Sequence, residues 1–398
     1  MGKPDCAVAV VGAGPVGLAG ALGLAQNDWS VLVLEKNEGL SEHSRAPLIW
    51  PRTQEILSEL GVVSRFEEDG IVRSRIRLFN ADQERVLLRY PIEELRGETP
   101  FPQVILCPQS QTERILYEAL QEEPSAEVHF STEVTGLRQS RGSVEVRFEQ
   151  DGQAGSITAA YAAGCDGAHS RVRDAIGSSF GGRTYRAQAA LADLTFDQEQ
   201  NVRFPRMTRR RGVATAIRID DDLWRLIMPR ASEGSAPLGR RIERAVADLF
   251  PASSFETVWK SEFNLHRRVS SSFVNQRVVL AGDAAHLTSP VGGQGMNLGL
   301  QDASALVSAL DGALERNTLT PLSRYTFERQ EAIETGAVWA TDRLTQLLLA
   351  RRGTFLVPFL RLFGFALRIR PLRQMVMRRM AMLDEPSRDQ FSPSFPIS

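Results

Sequence analysis

The sequence has few of the residues that mark many common chemistries. Three cysteines in 398 residues (Cys6, Cys107 and Cys165) stand far apart, and no Cys-x-x-Cys pair occurs. Neither a disulfide framework nor a thiolate metal site is expected. The five histidines show no spacing of the His-x-x-x-His kind, so no metal is expected. A Gly-x-Ser-x-Gly elbow is also missing, which argues against a hydrolase of that design. No apolar run reaches the roughly eighteen residues of a membrane span. The nearest candidate, Phe355 to Leu367, is broken by Pro358 and Arg361. The opening Met1-Gly2-Lys3-Pro4-Asp5-Cys6 does not resemble a signal peptide, and Cys6 stands where myristoylation needs Ser or Thr. A cytoplasmic protein without stable membrane insertion is expected. Charge of one sign is also lacking. Lys plus Arg is 47 and Asp plus Glu is 48, a net charge of −1. A generic nucleic-acid partner would call for a far more basic chain.

What is present points to a folded, multi-domain chain. Hydrophobic residues make up 42% and charged residues 24%, enough for a substantial core. At roughly 150 residues per domain, two or three domains are expected. No repeat or low-complexity tract appears. The opening reads β-α-β. Ala7 to Val11 is a Val-rich run suited to a strand buried on both faces. A helix from about Pro15 to Gln26 follows, then a second apolar strand from Ser30 to Leu34. Beyond that, Arg73 to Tyr90, Glu127 to Phe148 and Phe180 to Phe273 are strand-rich, with one helix near Arg240 to Phe250. Arg277 to Leu280 returns to a short buried strand, and the chain beyond Gly295 reads as mostly helical.

The expected fold class is therefore α/β. A Rossmann-like domain with a parallel sheet is interrupted by an inserted, mostly antiparallel substrate-binding sheet and followed by a helical C-terminal part. The expected FAD-type segments are 1–72, 102–179 and 276–318. The inserted segments are 73–101 and 180–275, and the helical region is 319–398.

Gly12-Ala13-Gly14-Pro15-Val16-Gly17 is a G-x-G-x-x-G motif with a strand before it and a helix after it. Gly12 permits the tight turn, Gly14 lets backbone approach a pyrophosphate, and Gly17 lets helix and strand pack closely. The helix N-terminus offers unpaired N–H groups and positive dipole to phosphate. Glu35, with Lys36 beside it, closes the second strand about twenty residues beyond Gly14, where a carboxylate binds ribose hydroxyls. This motif alone does not separate NAD from FAD.

Two later segments do. Tyr161 to Arg173 contains Cys165-Asp166-Gly167-Ala168-His169-Ser170. Arg277 to His286 contains Ala281-Gly282-Asp283-Ala284-Ala285. With the first motif, these resemble the three ordered fingerprints of the class A FAD-dependent aromatic hydroxylases, the flavoprotein monooxygenases of p-hydroxybenzoate hydroxylase type. The resemblance runs from Ala7 to about Leu310. It implies FAD as cofactor, with NAD(P)H and O2 as co-substrates.

The resemblance also implies roles for particular residues. Arg45 reaches the pyrophosphate, a task suited to a guanidinium fork. Gln109 touches the ribityl chain or ring, with Gln111 the alternative. Asp166 helps hold FAD, although Asp-Gly at a strand end is also an ordinary turn. Asp283 accepts from a ribityl hydroxyl, or else merely caps its turn. The loop Pro290-Val291-Gly292-Gly293-Gln294-Gly295-Met296-Asn297 presents the backbone N–H groups of Met296 and Asn297 to the flavin pyrimidine edge. Its residues Pro290, Gly292 and Gly293 line the oxygen-reacting pocket. No acid–base residue is identified. Leu191, Val213, Thr215, Trp224, Leu226 and Met228 are expected to line the substrate pocket.

The resemblance implies hydroxylation of an aromatic or polyketide-like small molecule through a flavin C4a-hydroperoxide. The alternatives are a Baeyer–Villiger or epoxidising oxygenase on the same fold, a flavin-dependent isoprenoid reductase, or a non-catalytic carrier. Only one G-x-G-x-x-G is present, so NAD(P)H is expected to dock without a domain of its own. The Trp-x-Trp segment of the related halogenases is replaced by Trp224-Arg225-Leu226-Ile227. An added thioredoxin-like C-terminal domain, as in the larger polyketide hydroxylases, is not expected. A monomer or homodimer is expected. Arg206 to Arg211 reads as a solvated basic hairpin, with recognition of an acidic or carrier-bound substrate or of NADPH phosphate as the alternative, and Phe355 to Met382 as an Arg-rich helical hairpin on the core, with a reversible membrane-surface contact as the alternative.

Overall fold

The computed structural model describes residues 4–42, 46–210, 213–229, 236–289, 292–335 and 362–384. The strand Cys6–Val11 lies between Val31–Leu34 and Gln153–Gly164, parallel to both. Val278–Leu280 joins the far side of Gln153–Gly164, and Ala126–His129 joins beyond Val31–Leu34, again in parallel. Val8, Val10, Val33, Ala162 and Val279 are wholly buried, as parallel strands covered on both faces must be. The covering helices are Pro15–Ala25 and Gly295–Arg316. They approach closely because a Cβ at Gly23 would stand 2.9 Å from a Val307 methyl. The first half of Gln153–Gly164 carries an antiparallel meander with Val144–Gln150 and Thr132–Gln139.

A second sheet of eight strands is almost entirely antiparallel. Two long strands, Phe180–Phe196 and Phe255–Ser270, run side by side into it from the parallel sheet. Trp224–Pro229, Ala214–Arg218, Arg206–Thr208, Arg75–Asn80 and Arg85–Pro91 follow in that order beyond Phe180–Phe196, and the short strand His286–Leu287 pairs with the outer side of Phe255–Ser270. Alternation along Trp224–Pro229 decides what each face does. Trp224, Leu226 and Met228 pack with Ile242, Val246, Leu249 and Phe250 at the helix Leu238–Leu249. Arg225, Ile227 and Pro229 alternate with them and so face the other side.

This is the expected α/β architecture with an inserted antiparallel sheet. One detail differs from the sequence reading. Ile71–Arg73 belongs to neither large sheet; it pairs with Val104–Leu106, which also takes Leu48–Ile49, in a small three-stranded sheet. Its three residues are too few for alternation to announce a partner.

At the C-terminal end, Thr320–Thr335 lies against Gly295–Arg316. The helix Arg370–Met380 places Met377 in a cluster with Trp50, Ile92, Leu95 and Val104. In the Arg-rich stretch, residues 355–361 lie outside the described part. Of the rest, Leu367 and Met377 are buried, whereas Leu362, Phe365 and Ile369 are exposed. Among the described residues no helix is long and apolar enough to cross a membrane.

Candidate functional site

Three loops meet at the C-terminal ends of the parallel strands. In the first, Gly12 has φ +104, and a Cβ there would lie 2.6 Å from the Cys165 carbonyl oxygen. A Cβ at Gly17 would lie 2.0 Å from the Gly12 carbonyl oxygen, so only glycine closes this turn. Gly14 is different: nothing lies within 4 Å of a Cβ there. It stands at the head of the helix Pro15–Ala25, where amide groups lack intrahelical partners. Glu35 turns its carboxylate towards this loop, accepting from Ala13 N at 2.8 Å and from Asn37 N at 2.9 Å. Lys36 is exposed beside it.

In the third loop, Gly282 has φ +61, and its α-carbon side is filled by Val16 of the first loop, whose methyl would stand 2.8 Å from a Cβ. Val16 therefore joins the two loops. Asp302, wholly buried in the helix Gly295–Arg316, holds the same turn from below. Its carboxylate accepts from Gly282 N at 2.9 Å, His286 Nε2 at 2.5 Å and Arg329 Nε at 2.6 Å. Burial works to raise its pKa, but His286 and Arg329 outweigh burial and hold it at about 2. Asp283 itself is exposed at the mouth of the loop.

The second loop carries Asp166, whose carboxylate accepts from Ser170 Oγ at 2.5 Å and Val172 N at 3.1 Å. Burial raises its pKa, against the pull of those two hydrogen bonds. Arg173 donates to Ala284 O and Ala168 O, both at 3.0 Å, and stacks on Phe180 at 3.9 Å. It ties the second loop to the third, a role with no signal in the sequence beyond the motif that contains it.

The segment Gly292 to Asn297 is secured by Asn297, which is wholly buried. Its side chain donates to Leu48 O at 2.7 Å and Gly293 O at 2.8 Å, and accepts from Trp50 N at 2.9 Å. Trp50 Nε1 in turn donates to Gly292 O at 3.0 Å. The Asn297 side chain is thus committed to structure. The amides of Gly295, Met296 and Asn297, in the first turn of a helix, are what this segment can offer a ligand. Gln109 donates to Glu113 at 2.9 Å, and Glu113 accepts from Ser41 N at 3.1 Å, so Gln109 sits by the segment leading to Arg45. Gln111 instead donates to Asp69 O on the outer side. Arg45 and Pro290 lie outside the described residues.

The six expected pocket residues do not share a face. Leu191 and Thr215 both stand beside Ile227 across the second sheet, on the side opposite the helix Leu238–Leu249. Val213 packs on that side with Met207 and Leu88. Trp224, Leu226 and Met228 are corrected to core residues: they fill the interior under the helix. Ile227, 36% exposed, is the large apolar residue of that strand on the open side. Arg225 is also on this side, locked in a buried bidentate pair with Asp193 at 2.7 and 2.8 Å.

A turn only glycine can close, open space at Gly14 before a helix N-terminus, a carboxylate on the next strand and two further loops at the same sheet ends fit the adenine-dinucleotide moiety of FAD. The chain belongs to the class A FAD-dependent monooxygenases, the aromatic hydroxylases: the family described as FAD binding domain matches residues 5–338. It is 28% identical to para-nitrophenol 4-monooxygenase of Pseudomonas sp. (strain WBC-3), over 81% of this chain and 82% of that one. It is 30% identical to 6-hydroxy-3-succinoylpyridine 3-monooxygenase of Pseudomonas putida, over 76% and 79%. The crystal structure of p-nitrophenol 4-monooxygenase from Pseudomonas putida DLL-E4 superposes with a TM-score of 0.89 at 23% identity, covering 97% of this chain and 100% of that one. A ternary complex of aklavinone-11 hydroxylase with FAD and aklavinone gives 0.80 at 25%, covering 88% and 70%. The protein is a flavin-dependent monooxygenase with FAD as its cofactor, and NAD(P)H and dioxygen are the co-substrates typical of its class.

Proposed function

We propose that the protein hydroxylates a phenolic or polyketide-like aromatic in the space between the Gly292–Asn297 loop and the open face of the second sheet. One observation carries this reading. Ile227, the most exposed of the three, stands between Leu191 and Thr215 on that face, while the alternate positions Ala190, Ala192, Ala214, Ala216, Leu226 and Met228 are sealed under a helix. The curated relatives named above are monooxygenases of small aromatic rings.

Bound FAD supplies the redox chemistry and the activation of dioxygen. The chain's own residues bind, orient and exclude water. Gly12, Gly14, Pro15, Val16 and Gly17 form the pyrophosphate turn, with Arg45 as its charged partner. Glu35 and Lys36 address the ribose. Gln109, Asp166, Gly282 and Asp283 address the ribityl chain and the ring. Gly295, Met296 and Asn297 turn amide donors to the pyrimidine edge, and Pro290, Gly292 and Gly293 wall the oxygen side. Leu191, Val213, Thr215 and Ile227 shape the aromatic pocket. The substrate domain consists of segments 73–101 and 180–275. The enzyme acts in the cytoplasm as a monomer or homodimer.

The test measures NADH and NADPH oxidation against phenols, naphthoquinones, polyketides and quinolones under labelled oxygen gas. One class should stimulate oxidation and gain one labelled oxygen. Ring expansion to an ester or an epoxide product would move the reading to a different oxygenation. Turnover of unsaturated isoprenoids without oxygen would make it a reductase.

A further inference from the structure

We propose that the Tyr90 hydroxyl is the hydrogen-bond donor that grips an oxygen of the aromatic substrate between the second sheet and the Gly292–Asn297 loop. This rests on the reading of that space as the substrate pocket.

Pairing fixes the side on which Tyr90 lies. Tyr90 stands beside Ile76, and Leu88 beside Leu78, in the hairpin at the sheet edge. The alternate residues Arg77 and Arg89 are exposed on the opposite side. In the neighbouring strand, Arg206 lies 5.9 Å from the Phe250 ring on the helix-covered face. Met207 therefore points to the open face, and it packs in one cluster with Leu88, Leu78 and Tyr90. Tyr90 also packs against a second cluster that holds Leu48 and Trp50. Those two residues are bonded to Asn297 and Gly292. The ring thus spans from the sheet to the loop.

The hydroxyl is the unusual part. Tyr161 and Tyr325, both buried, donate to Ala313 O and Leu280 O. The Tyr90 hydroxyl has no hydrogen-bond partner among the described residues, and it is not one of the sealed atoms that lack one. The side chain is half-buried. A donor without a protein partner therefore stands among apolar side chains, in clusters that hold Met207 and Trp50 and also Leu367, Val376 and Met377 from the C-terminal part. Such a group is costly to desolvate unless a partner arrives. Burial pushes the phenol far above its ordinary range, so it stays protonated at neutral pH and acts as donor rather than base.

The test uses the FAD-loaded enzyme and two ligands that differ by one oxygen, 2-naphthol and naphthalene, read by the change in flavin fluorescence. Tyr90→Phe keeps the ring and its packing, so flavin content and melting temperature should not move. The wild type should bind 2-naphthol about tenfold more tightly than naphthalene, as one net hydrogen bond provides, and Tyr90→Phe should erase the difference. For any phenol that turns over, KM should rise while kcat changes little. Two results would overturn the proposal: a preference that survives in Tyr90→Phe, or a wild type with no preference. Oxygen incorporation is scored separately. Its failure beside an intact preference removes the monooxygenation reading and leaves the hydroxyl's role standing.

Discussion

Glycines that look alike in a motif differ in what they tolerate. At Gly17 a side chain collides with backbone, so Gly17→Ala should yield insoluble or unfolded protein. At Gly14 the space is open and the backbone, with φ −75 and ψ 178, suits valine. Gly14→Val should therefore fold, with a normal circular dichroism spectrum, yet emerge without flavin absorbance. Stoichiometric flavin in that variant would place the pyrophosphate elsewhere. Asp302 makes a different prediction. Its carboxyl is held at about 2, below the ordinary value. The stability it contributes is complete above the ordinary carboxylate pKa and is lost as pH falls through about 2. Asp302→Asn removes the buried charge that both His286 and Arg329 face, at a cost on the order of 3–5 kcal/mol. Melting temperature at neutral pH should fall, and the acid-side loss between the two pKa values should flatten.

At the level of the element, the strand Trp224–Pro229 separates core from pocket residue by residue. Leu226→Ala should lower stability by about 2–5 kcal/mol without moving KM. Ile227→Ala should shift KM and substrate preference while leaving melting almost unchanged. The same strand shows where sequence reading stops. The three fingerprint loops were legible because each combines a short apolar strand with glycines, and both signals are local. Which of the six pocket candidates lie on the open side was not, because alternation reveals two faces without saying which is covered. The covering helix, Leu238–Leu249, is a separate element of the chain. Its position over Trp224, Leu226 and Met228 is a tertiary fact. Tyr90 carried no signal at all, since a tyrosine on an edge hairpin is ordinary until its surroundings are known. Asp302 was visible only as part of a helix following the loop.

For the whole molecule, the scarcity of cysteine takes on physical content. Burial pushes the Cys6 thiol up to about 11 and the Cys107 thiol up to about 12, and burial raises Cys165 as well. All three are free thiols, held in the protonated form that attacks poorly. Native protein should react with a thiol reagent much more slowly than unfolded protein, and added reductant should leave the melting temperature unchanged.

The order of the parallel sheet also shapes how the molecule comes into being. Its neighbours Cys6–Val11, Gln153–Gly164 and Val278–Leu280 are far apart along the chain, and long-range pairing of this kind is slow and exposed to misassembly. A nascent chain that has not yet emerged past Val278 holds two of the three loops and neither Gly282 nor Asp302. It has no finished seat for flavin. Capture of the cofactor thus certifies that synthesis has passed that point, and the stabilisation that binding confers goes only to chains that have reached it. When flavin runs short in the cell, the expected loss is of the polypeptide as well as of its turnover.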